Sequence, residues 1–245
     1  MLKSIAKGVL RRHGLGSHKG PDVPSKHLLN VLELAVTSLF DQDAGVTCIQ
    51  IGANDCAGYD PFVPLIRPGW KSILVEPQPW AADRLDATYA DNANIHVERS
   101  VIAAASGVAK LYHVSGLDDG SSMLEGVASL SRDHVVRHVG DENRIATIEV
   151  LALTFADLKQ KYGIEQLDIL SIDAEGFDFE ILKMIDFEAD RPSVIFYEHR
   201  NLAFEDAESA IELLADAGYH LARVGMDTVA VRTDRLTNPK PADSR

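Results

Sequence analysis

Polar residues that could bind a small ligand stand directly after apolar runs in this chain. One run is followed by Gly52, Asn54 and Asp55, and a later one by Glu76, which lies 24 residues after Gly52. A glycine turn after a buried strand brings backbone amides close to a ligand, and an acid about 20 residues later can accept hydrogen bonds from both hydroxyls of a ribose. An ordinary strand-to-loop exit and a surface glutamate are the alternatives, but strand and spacing together favour ribose binding.

Two further apolar runs also end in ionisable residues. Asp173 and Glu175 follow one of them, and Glu198 and His199 follow the other. Because ligands of open α/β sheets bind beyond the carboxyl ends of the strands, we expect all these side chains to lie at one edge. Such an edge is strongly acidic. It suits a cationic or hydroxyl-rich ligand and repels bare phosphate groups.

Asp173, Glu175 and His199 are the candidate general bases. Asp173 could instead serve only as the N-cap of the next helix. Glu175 is expected in the first turn of that helix, where the helix dipole favours an ionised carboxylate. The ordinary pKa of histidine, about 6.5, suits His199 to proton transfer at neutral pH, although a histidine at a strand end is often only a structural hydrogen-bond partner. The residues leave the choice among the three open.

One histidine pair is a candidate metal site. His134 and His138 are four residues apart and could share a helix face, and with His113 or a nearby acid they could bind a metal ion. The sequence offers no clear third ligand. A solvated helix face is therefore the favoured interpretation, and no metal site is predicted.

The elements that must position these residues follow from the apolar patterns. Strands are predicted at 46–51, 72–76, 95–98, 167–172 and 193–197, and helices at 25–40, from Asp60-Pro61 to Pro68-Gly69, at 79–89, at 154–163, around Phe177–Ile185 and at 205–217. Helices that alternate with apolar strands predict a parallel sheet covered on both faces. A hairpin over 219–232 is predicted to add an antiparallel strand to one edge of it.

The stretch from about 100 to 150 is less regular. Strands are predicted at 108–114 and 147–153, and a helix at 127–138. Between the two strands, the polar segment 115–145, with Ser121 and Ser122, is predicted to form a lid over an acceptor.

Composition limits the class of protein. The chain has 245 residues, which suffices for one sizeable α/β domain, and a formal net charge of -13. An acidic body repels phosphate backbones, so no nucleic-acid partner is predicted. Two cysteines, Cys48 and Cys56, do not form a disulfide framework and predict a reducing, cytoplasmic compartment.

The N-terminal segment differs in charge from the rest. Up to His27 it carries six lysines or arginines against Asp22 alone, and it has neither a signal-peptide pattern nor the run of about 18 apolar residues that a membrane span needs. A helix lying weakly on a membrane surface is one interpretation. A short helix packed on its own domain or on a partner's is favoured, which allows for an oligomer.

Four segments carry a resemblance to a known family. In order they read IGANDCAGYDP, GWKSILVEPQP, DILSIDAEGFDFEIL and IFYEH. Over about residues 44–232 the chain resembles the FkbM-type S-adenosylmethionine-dependent methyltransferases. The resemblance implies an α/β class I methyltransferase (Rossmann-like) fold, a mostly parallel seven-stranded sheet with an antiparallel terminal strand. It also implies S-adenosyl-L-methionine as cofactor and methylation of a hydroxyl on a sugar, glycan or natural-product acceptor.

The resemblance also implies roles for individual residues. Gly52, Asn54 and Asp55 would line the methionine end of the cofactor, Glu76 would bind the ribose, and Ser100 and Val101 would lie near the adenine. Asp173 would belong to the acidic cradle for the positively charged methyl donor. Relatives usually place glycine where this chain has Cys56; a positive φ there would cost about 1–2 kcal/mol unless Gly58 takes up the turn.

The predicted domains follow from these segments. A basic arm and linker cover 1–24, the methyltransferase domain covers 25–236, and a flexible tail covers 237–245.

The residues themselves also favour S-adenosylmethionine as the cofactor. An acidic, diol-binding crevice suits its sulfonium and ammonium groups, whereas a nicotinamide enzyme would need a GxGxxG phosphate turn, which GANDCAG does not match.

Two functions other than methyl transfer are alternatives for this sequence. One is a catalytically silent cofactor-binding or interaction module tethered through the basic arm, which would keep its role without Asp173, Glu175 or His199. The other, less favoured, is a nucleotide-dependent oxidoreductase, which would bind NAD rather than S-adenosylmethionine.

Overall fold

The computed structural model describes residues 30–40, 45–55, 62–115 and 127–234, and the compact unit that carries the fold begins at Val31. Its helices are α1 (Val31–Phe40), α2 (Pro79–Thr88), α3 (Arg132–Val139), α4 (Phe155–Lys161), α5 (Asp178–Leu182) and α6 (Phe204–Asp216). Short 3-10 turns cover Val63–Leu65 and Glu142–Arg144. Its strands are β1 (Thr47–Ile51), β2 (Lys71–Val75), β3 (Ile95–Glu98), β4 (Ser100–Ile102), β5 (Gly107–Val114), β6 (Ala128–Ser129), β7 (Ile145–Leu153), β8 (Ile169–Ile172), β9 (Val194–Glu198), β10 (His220–Val224) and β11 (Asp227–Val231).

Seven strands form the principal sheet, in the order β10-β11-β9-β8-β1-β2-β3. The pairs from β3 through to β9 are parallel, whereas β11 runs antiparallel to both β9 and β10. The mostly parallel sheet is as predicted, but the antiparallel strand is not at the edge. After β9 the chain passes through α6 and forms β10 two strand positions away from β9. The tight turn at Gly225 then brings β11 back into the position between β9 and β10.

The central strands are buried on both faces. In β1, β2, β8 and β9 nearly every residue is shielded from solvent. One face packs a large aliphatic cluster that includes Ile49, Leu170 and Ile195, and the other packs α1 through Leu32 and Phe40. Burial on both faces explains why these strands read as continuous apolar runs rather than as alternating patterns.

Strands β4, β5, β6 and β7 build a second sheet, in the order β4-β7-β5-β6. The long strands β5 and β7 were predicted, and they pair antiparallel over eight positions. The three-residue β4 and two-residue β6 were not predicted, because such short segments have no readable period. The helix predicted at 127–138 is instead β6 followed by α3, whose first turn is capped by Ser131.

Two predicted features of helix starts have different outcomes. Thr154 caps α4 at the start of the helix predicted over 154–163, accepting a hydrogen bond from the Asp157 amide at 3.0 Å. Asp173 does not cap the helix after β8, since α5 begins only at Asp178 and Phe177 precedes it without a side-chain cap. The predictions for the N-terminal arm, Ser25, Cys56, Gly58, Asp60-Pro61, Ser121, Ser122 and the tail lie outside the described residues.

None of the helices in the described ranges combines the length and apolar character that a transmembrane segment requires.

Candidate functional site

A pocket of about 640 Å³ opens at the carboxyl ends of β1, β2 and β8. Most residues predicted to bind a ligand line it: Gly52, Asn54, Glu76, Ser100, Val101, Asp173 and Glu175. The topology therefore brings together, at one edge of the sheet, side chains that are up to 123 positions apart.

Gly52 makes the close approach of three strand tips possible. Its φ is +78°, and a Cβ at this position would lie 1.8 Å from the carbonyl oxygen of Asp173. The amides of Gly52 and Ala53 both donate to the carbonyl of Val75, at 2.9 and 3.1 Å. No other residue type fits between β2 and β8 without moving the backbone.

Glu76 is held by backbone amides. The residue is 3% exposed, and its two carboxylate oxygens accept hydrogen bonds from the amides of Asn54 and Gln78, each at 2.8 Å. Burial raises the pKa of Glu76 to about 7, against the opposing effect of these two donors. Each carboxylate oxygen keeps a further lone pair, so Glu76 can still accept hydrogen bonds from the two hydroxyls of a vicinal diol in the pocket.

The second sheet supplies an apolar wall opposite Glu76. Leu111, Ala128 and Leu130 line this side of the pocket together with Val101. Ser100 lies among them, fully buried, and its hydroxyl has no hydrogen-bond partner within the described part of the chain. An apolar wall with one available hydroxyl suits a heteroaromatic ring, which fits the adenine role that the resemblance implies for this position.

Asp173 stands at the tip of β8 among other acids. Desolvation by the pocket wall, followed by repulsion from Asp178, Glu175, Glu198 and Asp227, raises its pKa well above the ordinary value. Asp173 is nonetheless exposed to the solvent of the pocket. We therefore give repulsion among the carboxylates more weight than burial as the cause of this shift.

Asp178, which is buried, and Glu198, which is half-buried, belong to the same acidic cluster. Asp178 is completely buried and accepts the amides of Ala174 and Glu198, both at 3.3 Å. Burial raises the pKa of Asp178 to about 7, and burial followed by repulsion from Glu175 raises that of Glu198 to about 8. In the described ranges no lysine or arginine forms an ion pair with Asp173, Asp178 or Glu198.

Glu175 lies in a turn and not, as predicted, in the first turn of a helix. Its φ is +47°, an uncommon conformation for a residue with a side chain. Its carboxylate contacts His134 Nε2 and accepts a hydrogen bond from Asn201, both at 3.1 Å. His134 is 1% exposed, so the solvated helix face expected for it is wrong, whereas His138 on the same helix is exposed. The contacts with His134 and Asn201 hold the half-buried Glu175 side chain at the pocket wall.

Two residues of the predicted set lie away from the lining. Asp55 accepts a hydrogen bond from Arg84 at 2.8 Å, and its amide donates to the Asn54 side chain. The Nδ1 atom of His199 lies 3.0 Å from the hydroxyl of Thr228. Burial, together with the positive charge of Arg223, lowers the pKa of His199. The geometry therefore brings Asp173 and Glu175 to the pocket lining, whereas His199 lies away from it.

Several lining residues were missed from the sequence. Gln78, Phe177 and Ile181 follow the tips of β2 and β8, and Leu111, Ala128, Ser129 and Leu130 come from the second sheet. A buried acid five residues after Asp173 could have been suspected from the segment IDAEGFD. The residues of the second sheet carried no such signal, because nothing local shows that their strands fold over the pocket.

Comparison with known proteins gives a family for this site. The model of the FkbM methyltransferase domain matches residues 50–221, which lie inside the predicted domain 25–236. No curated protein matches the sequence.

Three solved structures that this chain resembles are distant from it in sequence. An O-methyltransferase from Bacillus cereus in complex with SAH is 12% identical, with a TM-score of 0.44 and coverage of 94% of this chain and 90% of that one. A precorrin-6y C5,15-methyltransferase from Geobacter metallireducens GS-15 is 12% identical, with a TM-score of 0.42 and coverage of 85% and 91%. Aeropyrum pernix fibrillarin with natively bound S-adenosyl-L-methionine is 12% identical, with a TM-score of 0.40 and coverage of 82% and 73%.

The strand order agrees with the family. A seven-stranded sheet whose only reversed strand, β11, lies next to the edge is the class I methyltransferase arrangement. Together with the match over most of the domain, it confirms the predicted fold and the predicted cofactor. The chain belongs to the FkbM methyltransferase domain family and is an S-adenosylmethionine-dependent methyltransferase.

Proposed function

We propose that this methyltransferase transfers a methyl group to a hydroxyl of a sugar, glycan or natural-product acceptor, with Asp173 as the general base. The observation that carries the proposal is the position of Asp173, which lines the pocket at the tip of β8, is exposed to its solvent and is surrounded by further carboxylates. An acidic wall of this kind accepts hydrogen bonds from a hydroxyl-rich acceptor.

The residues present fit the cofactor that the family uses. S-adenosylmethionine supplies an electrophilic methyl group on a positively charged sulfur. Glu76 has lone pairs for the ribose hydroxyls, and the hydroxyl of Ser100 is available in an apolar wall. Gly52 and Asn54 shape the turn between them.

Asp173 is suited to take the proton of the acceptor hydroxyl. Its surroundings raise the pKa of Asp173 above the ordinary value, which makes its carboxylate a stronger base. Glu175 stands beside it in a fixed position and can orient a second hydroxyl of the acceptor. The chain thus contributes binding, orientation and removal of one proton, which together meet what an in-line displacement needs.

The acceptor class can be tested with a labelled methyl donor. The full chain is incubated with labelled S-adenosylmethionine and, separately, with glycan, lipid, small-molecule, protein and nucleic-acid fractions. We expect label in a hydroxylated glycan or small molecule, as a methyl ether that survives alkaline hydrolysis. Label in an alkali-labile ester, in protein or in nucleic acid would contradict the proposal. Cofactor binding without transfer to any fraction would favour the silent binding module.

Substitution of the proposed base sharpens this test. Asp173→Asn should lower kcat at least about 100-fold, the smallest usual contribution of a general base, while cofactor binding persists. His199→Gln serves as the matched control because His199 lies off the pocket lining, and it should transfer label at close to the normal rate. Equal rates for Asp173→Asn and the unchanged chain would exclude Asp173 as the base.

We also propose that the enzyme acts in the cytoplasm. Cys48, buried in β1, is a free thiol, as expected in a reducing compartment. The weak membrane contact of the basic arm and an oligomeric state stay predictions from the sequence.

A further inference from the structure

We propose that His134, His138 and Glu175 form a binding site for a divalent transition-metal ion such as Zn²⁺, beside the methyl-transfer pocket. One ring nitrogen of each histidine and one carboxylate oxygen of Glu175 lie within 4.8 Å of one another. The sequence predicted no metal site for want of a third ligand. The fold supplies one 41 residues after His134, across the contact between α3 and the turn that follows β8.

Two of the three ligands already have the spacing of neighbours on one ion. His134 Nε2 lies 3.1 Å from Oε2 of Glu175. With metal–ligand bonds of about 2.0–2.2 Å, adjacent ligand atoms around a tetrahedral ion lie about 3.4 Å apart. His138 comes from one turn further along α3 and is exposed, so its ring can move closer without disturbing the core.

The hydrogen bond of His138 has the form expected of a metal ligand. Its Nδ1 atom lies 3.2 Å from the carbonyl oxygen of His134. A carbonyl can only accept, so Nδ1 carries the proton and Nε2 keeps its lone pair. Metal-binding histidines commonly donate their other ring N–H to a backbone carbonyl in this way, which fixes the tautomer.

The backbone beneath Glu175 is shaped to bring the carboxylate and the imidazole together. Glu175 and Gly176 both have positive φ, +47° and +84°. A Cβ at Gly176 would lie 2.7 Å from Nδ1 of His134, so glycine makes room for this buried ring. Asn201 donates to the Glu175 carboxylate at 3.1 Å and Ser129 donates to the Glu175 carbonyl at 2.9 Å, which holds the turn from outside. Strained backbone of this kind is concentrated at functional sites.

The ligand types select the class of ion. Two imidazoles and one carboxylate suit Zn²⁺ and similar transition metals, whereas Mg²⁺ and Ca²⁺ prefer oxygen ligands. Three protein ligands leave at least one position for water or another oxygen. Since Glu175 also lines the pocket, an acceptor hydroxyl could take this position. Such a catalytic use rests on the proposed function, but binding of the ion does not.

Titration with Co²⁺ tests the site without cofactor or acceptor. Co²⁺ replaces Zn²⁺ and gives visible absorption bands that report its ligands. The full chain is freed of metal with a chelator, the chelator is removed, and Co²⁺ is added to the unchanged chain and to His138→Ala, Glu175→Gln and His220→Ala. His220 is an exposed histidine on β10 outside the cluster and serves as the matched control. All variants keep His13, His18 and His27, so any weak binding by these residues is common to the set.

We expect one saturable Co²⁺ site in the unchanged chain and in His220→Ala, displaced by Zn²⁺. In His138→Ala and Glu175→Gln binding should weaken at least about tenfold, because loss of even an outer-shell partner typically costs about 10–100-fold. Zn²⁺ should also raise the unfolding temperature of the unchanged chain but not of His138→Ala. No saturable site, or a site unaffected by both substitutions, would overturn the proposal. Methyl transfer to a hydroxylated acceptor is measured separately, so failure of either proposal can be recognised.

Discussion

Glu76 and Asp173 both stand at the tips of parallel strands that line one pocket, yet their surroundings differ. Glu76 is buried and accepts two backbone amides at 2.8 Å. Asp173 is exposed to the pocket and faces the carboxylates of Glu175, Asp178, Glu198 and Asp227. One half of the pocket is thus prepared for a neutral diol by fixed donors. The other half holds an excess of negative charge that a cation would relieve.

The difference indicates that the two halves of the pocket depend on different physical interactions. The half built by β1 and β2 depends on backbone geometry, because its key contacts are made by amides of the turn at Gly52–Asn54. The half built by β8 and β9 depends on charge, because its acids repel one another and favour a positively charged methyl donor. Substitutions should therefore disturb shape in the first half and titration in the second.

The largest effect is expected at Gly52. Gly52→Ala would place a methyl group 1.8 Å from the carbonyl oxygen of Asp173 and force the two strand tips apart. We expect a loss of about 2–4 kcal/mol in the free energy of unfolding and no measurable cofactor binding. Denaturant titration and calorimetry provide the two measurements.

The control for this substitution is Gly163→Ala. Gly163 has a φ of +57° but no heavy atom within 4 Å of the added Cβ. It should lose only about 1 kcal/mol, the cost of the left-handed backbone, and bind cofactor normally. Normal binding by Gly52→Ala would show that the strand tips need not meet so closely.

A smaller effect is expected from pH, acting on the charged half. In the charged half, the pKa of Asp178 is raised from 3.8 to about 7 and that of Glu198 from 4.5 to about 8, so the folded, cofactor-free chain holds more protons than the unfolded chain between about pH 5 and 8. Its free energy of unfolding should therefore fall as the pH rises, and from about pH 7 to 8 the contribution of Glu198 is at most about 1.4 kcal/mol. Bound S-adenosylmethionine should flatten this slope, because its positive charge favours the ionised acids.

Glu198→Gln isolates one contribution to this slope. Removing the carboxyl should make the fall in stability above pH 7 shallower, and Glu165→Gln, at an exposed position, should leave it unchanged. Urea denaturation at several pH values checks both. Stability that rises with pH over this range would show that the acids are stabilised in their ionised form.

The smallest effect is expected at Asp55. Its ion pair with Arg84 lies outside the pocket lining, and surface pairs of this kind contribute about 0–1 kcal/mol. Asp55→Ala and Arg84→Ala should each change cofactor affinity less than about threefold, which is below 1 kcal/mol. Loss of binding in Asp55→Ala alone would favour the direct cofactor contact that the family resemblance implies for this residue.

The sequence predicted the charge-bearing strand tips because their strands are buried on both faces. Short, mostly apolar runs precede Gly52, Glu76, Asp173 and Glu198, and the parallel-sheet rule then places these residues at one edge. The position of β11 could not be read in the same way. Which gap in a sheet a hairpin strand enters depends on where α6 places β10, not on local pattern.

The remaining site residues depend on contacts between distant segments. The apolar wall comes from β4, β5 and β6, of which two are too short to show a period. The contact between His134 and Glu175 joins helix α3, which follows β6, to a turn with positive φ after β8. Residue spacing shows neither this contact nor the positive φ of the turn. Burial of His134 likewise follows from its packing beside Gly176 rather than from the helix that carries it.

Calorimetric titration of S-adenosylmethionine into the unchanged chain and Glu76→Gln at pH 8, where Glu76 is largely ionised, tests the acidic diol-binding cradle most directly. The account predicts affinity about 10- to 100-fold weaker for Glu76→Gln, the loss of about 1.5–3 kcal/mol that a charged hydrogen bond is worth, with circular dichroism showing an intact fold. Equal affinities, or binding of NAD in place of S-adenosylmethionine, would contradict it.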